Sequence, residues 1–151
     1  MLSIAVFSEC YHPMRNGVVV SVDAFARQLR AMGHRVTIFS ARHPDLPDAE
    51  ADVYRFPSVN FPSRARYPVG LPVAIGRARR ALEGQTFDIV HTNAPMTMGY
   101  AALRYARRHD LPLVLTYHTL IEEYAHYIPL PRQFVRAMRS EEHTSELQSQ
   151  R

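Results

Sequence analysis

The sequence has no lysine, no tryptophan, one cysteine and only six glycines among its 151 residues. A single thiol, Cys10, excludes an internal disulfide and fits a reducing compartment. With lysine absent, all 18 basic residues are arginine, a set that reflects a GC-rich genome more than a chemistry. The glycines are too few and too scattered for G-x-G-x-x-G or for a P-loop, so neither phosphate-binding fingerprint is present. Long apolar runs are missing as well. The opening "MLSIAVFSECYHP" has no basic leader, and its apolar run is too short for a signal peptide or a bilayer span. No H-E-x-x-H stands in the chain, and no Ser-His-Asp or Cys-His arrangement stands out.

What remains is ample material for one domain. Apolar residues make up 46% of the chain, enough for a sizeable core. Ser3 to Ser8, "SIAVFS", reads as a strand buried on both faces. After the loop "ECYHPMRNG", the residues Val18, Val22, Phe25, Ala26, Leu29 and Met32 recur at helical spacing and are expected to face inward. Gly33-His34 ends that helix, and "RVTIFSA" (Arg35 to Ala41) is the next strand. "VYRFPS" is a third strand, and Val59 to Pro72 reads as irregular. Leu71, Ala74, Ile75, Ala78 and Leu82 share one face of a second helix. "FDIVHTN" (Phe87 to Asn93) is a fourth strand. Met96 to His109 is a helix with Met98, Ala101, Ala102, Tyr105 and Ala106 inward, and "LPLVLTYHT" is a fifth strand. Strands alternating with helices predict an α/β fold: a Rossmann-like open parallel sheet with helices on both faces. In such sheets ligands bind beyond the carboxyl ends of the strands, here after Ser8, Val90 and Thr116.

Polar clusters occupy those places. Asn16-Gly17 directly before a helix lets backbone come close to a ligand, and the helix's free N–H groups favour a phosphate. The same stretch also fits an ordinary βα turn, and spacing alone does not choose. His91 and Asn93 follow the fourth strand, where His91 reads first as a satisfied strand-end histidine. His118 ends the fifth strand, and its position favours a functional role. Glu123 and His126 form Glu-x-x-His, one half of a carboxylate-bridged metal site. The required second copy is absent, so no metal is expected. Arg64, Arg66, Arg77, Arg79 and Arg80 flank the second helix's apolar stripe. They fit a surface helix packed on the sheet, or a basic face lying on an anionic membrane. No groove-reading or base-stacking motif accompanies them, so a nucleic-acid partner is not expected.

Arg139 to Ser149, "RSEEHTSELQS", resembles one reading frame of a widely used sequencing-library adapter. Residues 139–151 are therefore read as a non-native tail, and the natural gene is expected to continue past Met138.

Three blocks carry a family resemblance: "FSECYHPMRNGVVVSVDAFARQLRAMGHRVTIFSA", "FDIVHTNAPMTMGYAALRYARRHDLPLVLTYHT" and "EEYAHYIP". Together they resemble the N-terminal domain of family-4 glycosyltransferases, across residues 1–138. "HTLIEEYAHYIPLP" is most similar to members that glycosylate diacylglycerol or related lipids. The resemblance implies the acceptor-side half of a two-domain GT-B enzyme. Such an enzyme moves a sugar from a nucleotide-diphosphate donor to a hydroxyl acceptor with retention, without cofactor or metal. It implies that the Gly17 amide, beside Asn16, approaches the donor diphosphate, and that His118 contacts the transferring sugar. Tyr11, Glu122 and Tyr124 are candidates for the acceptor side. Arg64, Arg66, Arg77 and Arg80 are candidates for an anionic membrane surface, placing the protein in the cytoplasm and peripherally at the inner membrane face. The donor-binding domain is absent, so this chain alone should be inactive. A non-catalytic lipid- or sugar-binding module with the same half-fold is the rival reading. The missing glycine fingerprint argues against a nucleotide-dependent oxidoreductase.

Overall fold

A computed structural model describes residues 1–43, 51–60, 68–93 and 95–117. Five strands form one parallel sheet: β1 (Ser3–Ser8), β2 (Arg35–Ala41), β3 (Val53–Phe56), β6 (Ile89–Thr92) and β7 (Leu113–Leu115). Between β3 and β6 the short strands β4 (Ser58–Asn60) and β5 (Pro68–Gly70) pair antiparallel. The order across the large sheet is β3-β2-β1-β6-β7. The chain thus builds outward from β1 in one direction, then returns to β1's other side and builds outward again. That reversal is a topological switch point, lying between β1 and β6.

Handedness puts the helices on both faces. α1 (Gly17–Ala31) links β1 to β2, and α3 (Thr97–His109) links β6 to β7 in the opposite lateral sense. Right-handed crossovers in opposite senses must lie on opposite faces. β1 shows the consequence residue by residue. Ile4 and Val6 pack with Val19, Val22 and Ala26 of α1. Ala5 and Phe7 pack on the other side, with residues of α2 (Gly76–Gly84) and α3. Phe7 and Phe39 stack with centroids 5.0 Å apart, and Phe56 meets both rings edge-on. The expected α/β sheet with helices on both faces is thus what the chain forms.

The end of α1 is set by Gly33, whose φ of 85° places it in the left-handed region. There the Gly33 N–H reaches the Arg30 carbonyl at 2.9 Å and the His34 N–H reaches that of Leu29 at 3.0 Å. These are the paired bonds of a Schellman stop.

Four sequence expectations need correction. In α1 the buried line is Val19, Val22 and Ala26, while Phe25 and Met32 are exposed. The helix is rotated so that Phe25 leans over the β6 side, edge-on to the His91 ring. α2 begins at Gly76, not at Leu71. Leu71, Val73 and Ile75 instead alternate outward along a non-helical lead-in, with Ala74 turned in against the core. Val59 to Pro72 is not wholly irregular, since it contributes the β4–β5 ladder. The fifth strand is shorter than "LPLVLTYHT", because its pairing with β6 covers only Leu113 to Leu115.

Candidate functional site at the carboxyl rim

β1 and β6 both end at the switch point, and the residues just beyond them are polar. The Asn93 N–H donates to the Phe7 carbonyl at 2.9 Å, which carries the β1–β6 seam one residue past β6. The Thr116 N–H likewise donates to the Thr92 carbonyl, so the chain leaving β7 stays against β6. Crevice-forming segments therefore leave β1, β6 and β7 on one edge of the sheet.

The segment after β1 is fixed from several directions. Asn16 has extended backbone and accepts the Val19 N–H on its side-chain oxygen at 2.9 Å, which makes it the N-cap of α1. Its amide also donates to the Cys10 sulfur at 3.3 Å. Burial pushes the Cys10 thiol above its ordinary range, with a smaller push from the Glu9 charge, so this cysteine is held as a thiol. Tyr11 is buried beneath α1, its hydroxyl donating to Asp23 at 3.1 Å. Asp23 also faces His12 at 3.7 Å and Arg27 at 3.4 Å. Arg55 lies over the Tyr11 ring and donates to the His12 carbonyl at 2.8 Å.

Gly17 opens α1 and is exposed, with open space where a Cβ would stand. An α-helix leaves its first N–H groups without intrahelical acceptors. Asn16 satisfies that of Val19, and no acidic side chain stands in the first turn. The end of α1 is thus a bare, positive helix terminus pointing to the rim.

Asn16, Gly17 and Tyr11 are brought together in the first loop. His118, Glu122, Tyr124, Arg64 and Arg66 lie outside the described residues. Arg77 stacks over Tyr54 at 5.4 Å, and Arg80 is exposed on α2. His91 is satisfied: its Nε2 lies 2.7 Å from the Thr116 hydroxyl. Among the described residues no group of three or more His, Cys, Asp or Glu side chains is placed to hold a metal, and no helix is long and apolar enough to cross a membrane.

Sequence reasoning missed Glu9, Asp23 and Arg55, which build the loop. Glu9 had only a faint local signal, an acid directly after the buried strand "SIAVFS", and nothing nearby in the chain showed its partner. Arg55 had none, because an arginine inside "VYRF" does not announce a cation over a tyrosine 44 positions away.

The sequence profile of Glycosyltransferase Family 4 matches residues 15–147. The chain belongs to Glycosyltransferase Family 4. Over 137 residues it is 34% identical to a GDP-mannose-dependent alpha-mannosyltransferase of Mycobacterium tuberculosis (strain CDC 1551 / Oshkosh), a match covering 85% of this chain and 35% of that protein. It is 30% identical over 128 residues to an alpha-monoglucosyldiacylglycerol synthase of Acholeplasma laidlawii, covering 84% of this chain and 32% of the relative. A synthase of the same name from Streptococcus pneumoniae (strain ATCC BAA-255 / R6) is 30% identical over 132 residues, covering 84% and 29%. The chain therefore spans about a third of the length of the curated relatives it matches. Within family 4, the rim described above occupies the N-terminal Rossmann-like half.

Proposed function

We propose that this chain is the acceptor-side half of a retaining glycosyltransferase. The whole protein moves a sugar from a nucleotide-diphosphate donor to a hydroxyl acceptor. The observation that carries this is a family-4 chain whose switch point opens beside a bare helix terminus, Gly17 behind its Asn16 cap. An oxocarbenium-like sugar leaving a diphosphate needs oriented dipoles more than a strong base. A helix N-terminus supplies such dipoles without a cofactor or metal.

In this reading the Gly17 amide approaches the donor diphosphate and Asn16 holds it in place. His118, three residues past the end of β7 at Leu115, contacts the transferring sugar. Glu122 and Tyr124 serve the acceptor. Tyr11, being buried, serves it through the loop it pins. Donor contacts beyond the diphosphate belong to a second domain, so this chain alone turns nothing over. Residues 139–151 are kept as a tail foreign to the gene, although the family match reaches residue 147, and sequencing past codon 138 decides this. Replacing His118 with Ala in the complete gene tests the assignment. Transfer should fall steeply, and an unchanged rate removes His118 from the mechanism.

The relatives named for diacylglycerol products support a membrane lipid as acceptor; the mannosyltransferase's name specifies only GDP-mannose, and we keep a glycan as the second acceptor class. For the lipid reading we place the protein in the cytoplasm, peripheral at the inner membrane face, with Arg64, Arg66, Arg77 and Arg80 toward anionic headgroups. Sedimentation with anionic vesicles checks this. Neutralising the four arginines should abolish co-sedimentation, and a wild-type protein that stays in the supernatant refutes the membrane role. No nucleic-acid partner is proposed.

A further inference from the structure

Two helices, α1 and α3, start on the carboxyl rim, and their first turns are capped in different ways. α1 is capped by its neighbour Asn16. At α3 the cap residue is Met96, which makes no side-chain bond, and the first turn holds no acid. Its terminus is filled from across the fold. Glu9, the first residue after β1, accepts the Met98 N–H at 2.6 Å, and both its carboxylate oxygens lie 3.1 Å from the Thr97 hydroxyl. Backbone N–H groups of Thr97 and Gly70 also bond to it. One carboxylate thus joins the end of β1, the end of β5 and the first turn of α3. Gly70 is pressed against the same helix, since a Cβ there would stand 2.8 Å from the Met98 sulfur.

Those bonds favour the ionised form, but burial outweighs them and pushes the Glu9 pKa above its ordinary value of 4.5. Among the described residues no cation contributes to the shift, and Thr97, Met98 and Gly70 supply only dipoles. The titratable neighbour is Cys10, whose thiol the Glu9 charge pushes up. The folded chain therefore holds this proton more tightly than the unfolded chain. The resulting stability is full below about 4.5 and is lost as pH rises through the folded pKa. At neutral pH an ionised Glu9 costs stability that a glutamine would not. A costly residue beside a ligand crevice points to the site more than to the fold.

We infer that Glu9 is a positioning residue of the crevice: its carboxylate ties α3 and β5 to the end of β1 and closes the α3 terminus to substrate phosphate, leaving α1 as the anion-binding end. The second half of this rests on the transfer reading above.

Two variants test it. Glu9→Gln keeps only one acceptor oxygen: Oε1 can accept from Met98 and Nε2 can donate to the Thr97 hydroxyl, but Nε2 cannot accept from the backbone N–H groups of Thr97 and Gly70. With no charge to bury, this chain carrying E9Q should melt at or above wild type at neutral pH, and the difference should shrink as pH falls toward 4.5. In the full-length enzyme E9Q should lower kcat about tenfold despite its stability, because the slackened tie to β5 and α3 misplaces the crevice. Glu9→Ala should melt lower and recover on adding about 100 mM acetamide, a neutral molecule that can occupy the emptied position, while the same addition should leave the wild-type melt unchanged. Wild-type kcat in E9Q overturns the inference. So does an E9A melt that ignores acetamide, and if E9A does not fold, E9Q decides alone. The melting experiments involve no sugar transfer. If acetamide rescues E9A but the full-length protein transfers nothing, it is the transfer reading that falls.

Discussion

If the end of α1 receives the donor diphosphate, replacing Asn16 with Asp should separate stability from binding. Asp keeps a side-chain oxygen for the Val19 N–H, now 2.9 Å from the Asn16 oxygen. It also adds a negative charge at a positive helix end, worth about 0.3–1 kcal/mol in favour of folding. It gives up the amide that donates to the Cys10 sulfur, a weak bond at 3.3 Å. The net effect on melting should be near zero or slightly positive. Donor binding should move the other way. A new carboxylate about 4 Å from a phosphate charge costs about 1 kcal/mol even at the dielectric of water, or about fivefold in affinity. Asn16→Ala gives the contrasting result. It loses the cap, about 1 kcal/mol, which for a domain of this size lowers the melting temperature by about 4 °C. It adds no charge against the donor. The assays are thermal melting of this chain and the donor KM of the full-length enzyme. An Asp variant that binds donor as well as wild type would refute the reasoning, because the diphosphate then lies elsewhere.

Two further changes probe the scaffold beneath the rim. Phe7→Ala removes a fully buried ring that contacts Phe39, Phe56 and Tyr105. It should cost about 3–5 kcal/mol, read as a drop in the urea midpoint with little change in slope. Gly70→Ala drives a methyl into the buried Met98 side chain and should cost about 1–3 kcal/mol. The cost should shrink in a Met98→Ala background, so a double-mutant cycle giving no coupling would place the strain elsewhere.

The centre of the sheet was legible because β1 and β2 are buried along almost their whole length and read as short, mostly apolar runs between turn residues. β1 and β2 were read to the residue for this reason. The faces of the helices were harder. Periodicity finds a stripe but not its rotation, and in α1 the choice between the Val18–Phe25 and Val19–Ala26 lines depends on where β6 lies. Leu71 to Ile75 misled for a similar reason. Its apolar residues fit helical spacing, but an alternating extended segment satisfies the same positions, and Pro72 favours the latter. At the candidate site, Asn16 and Gly17 could be found locally, since a cap and a bare glycine are neighbours in the chain. Glu9 could not, because what gives it meaning is a helix end 89 positions away.

The pairing of Ile4 with Ile89 has a consequence for biosynthesis. A ribosome makes β1 and β2 early, and they can pair as soon as α1 has closed the link. β1's other edge must wait until Ile89 to Thr92 has left the exit tunnel. During that interval a strand with every residue destined for the interior shows one unpaired side, the kind of edge that recruits neighbouring chains. A translational pause while β2 is outside the tunnel and Ile89 to Thr92 is still within it should therefore lower the yield of native protein more than the same pause placed after Thr92 has emerged.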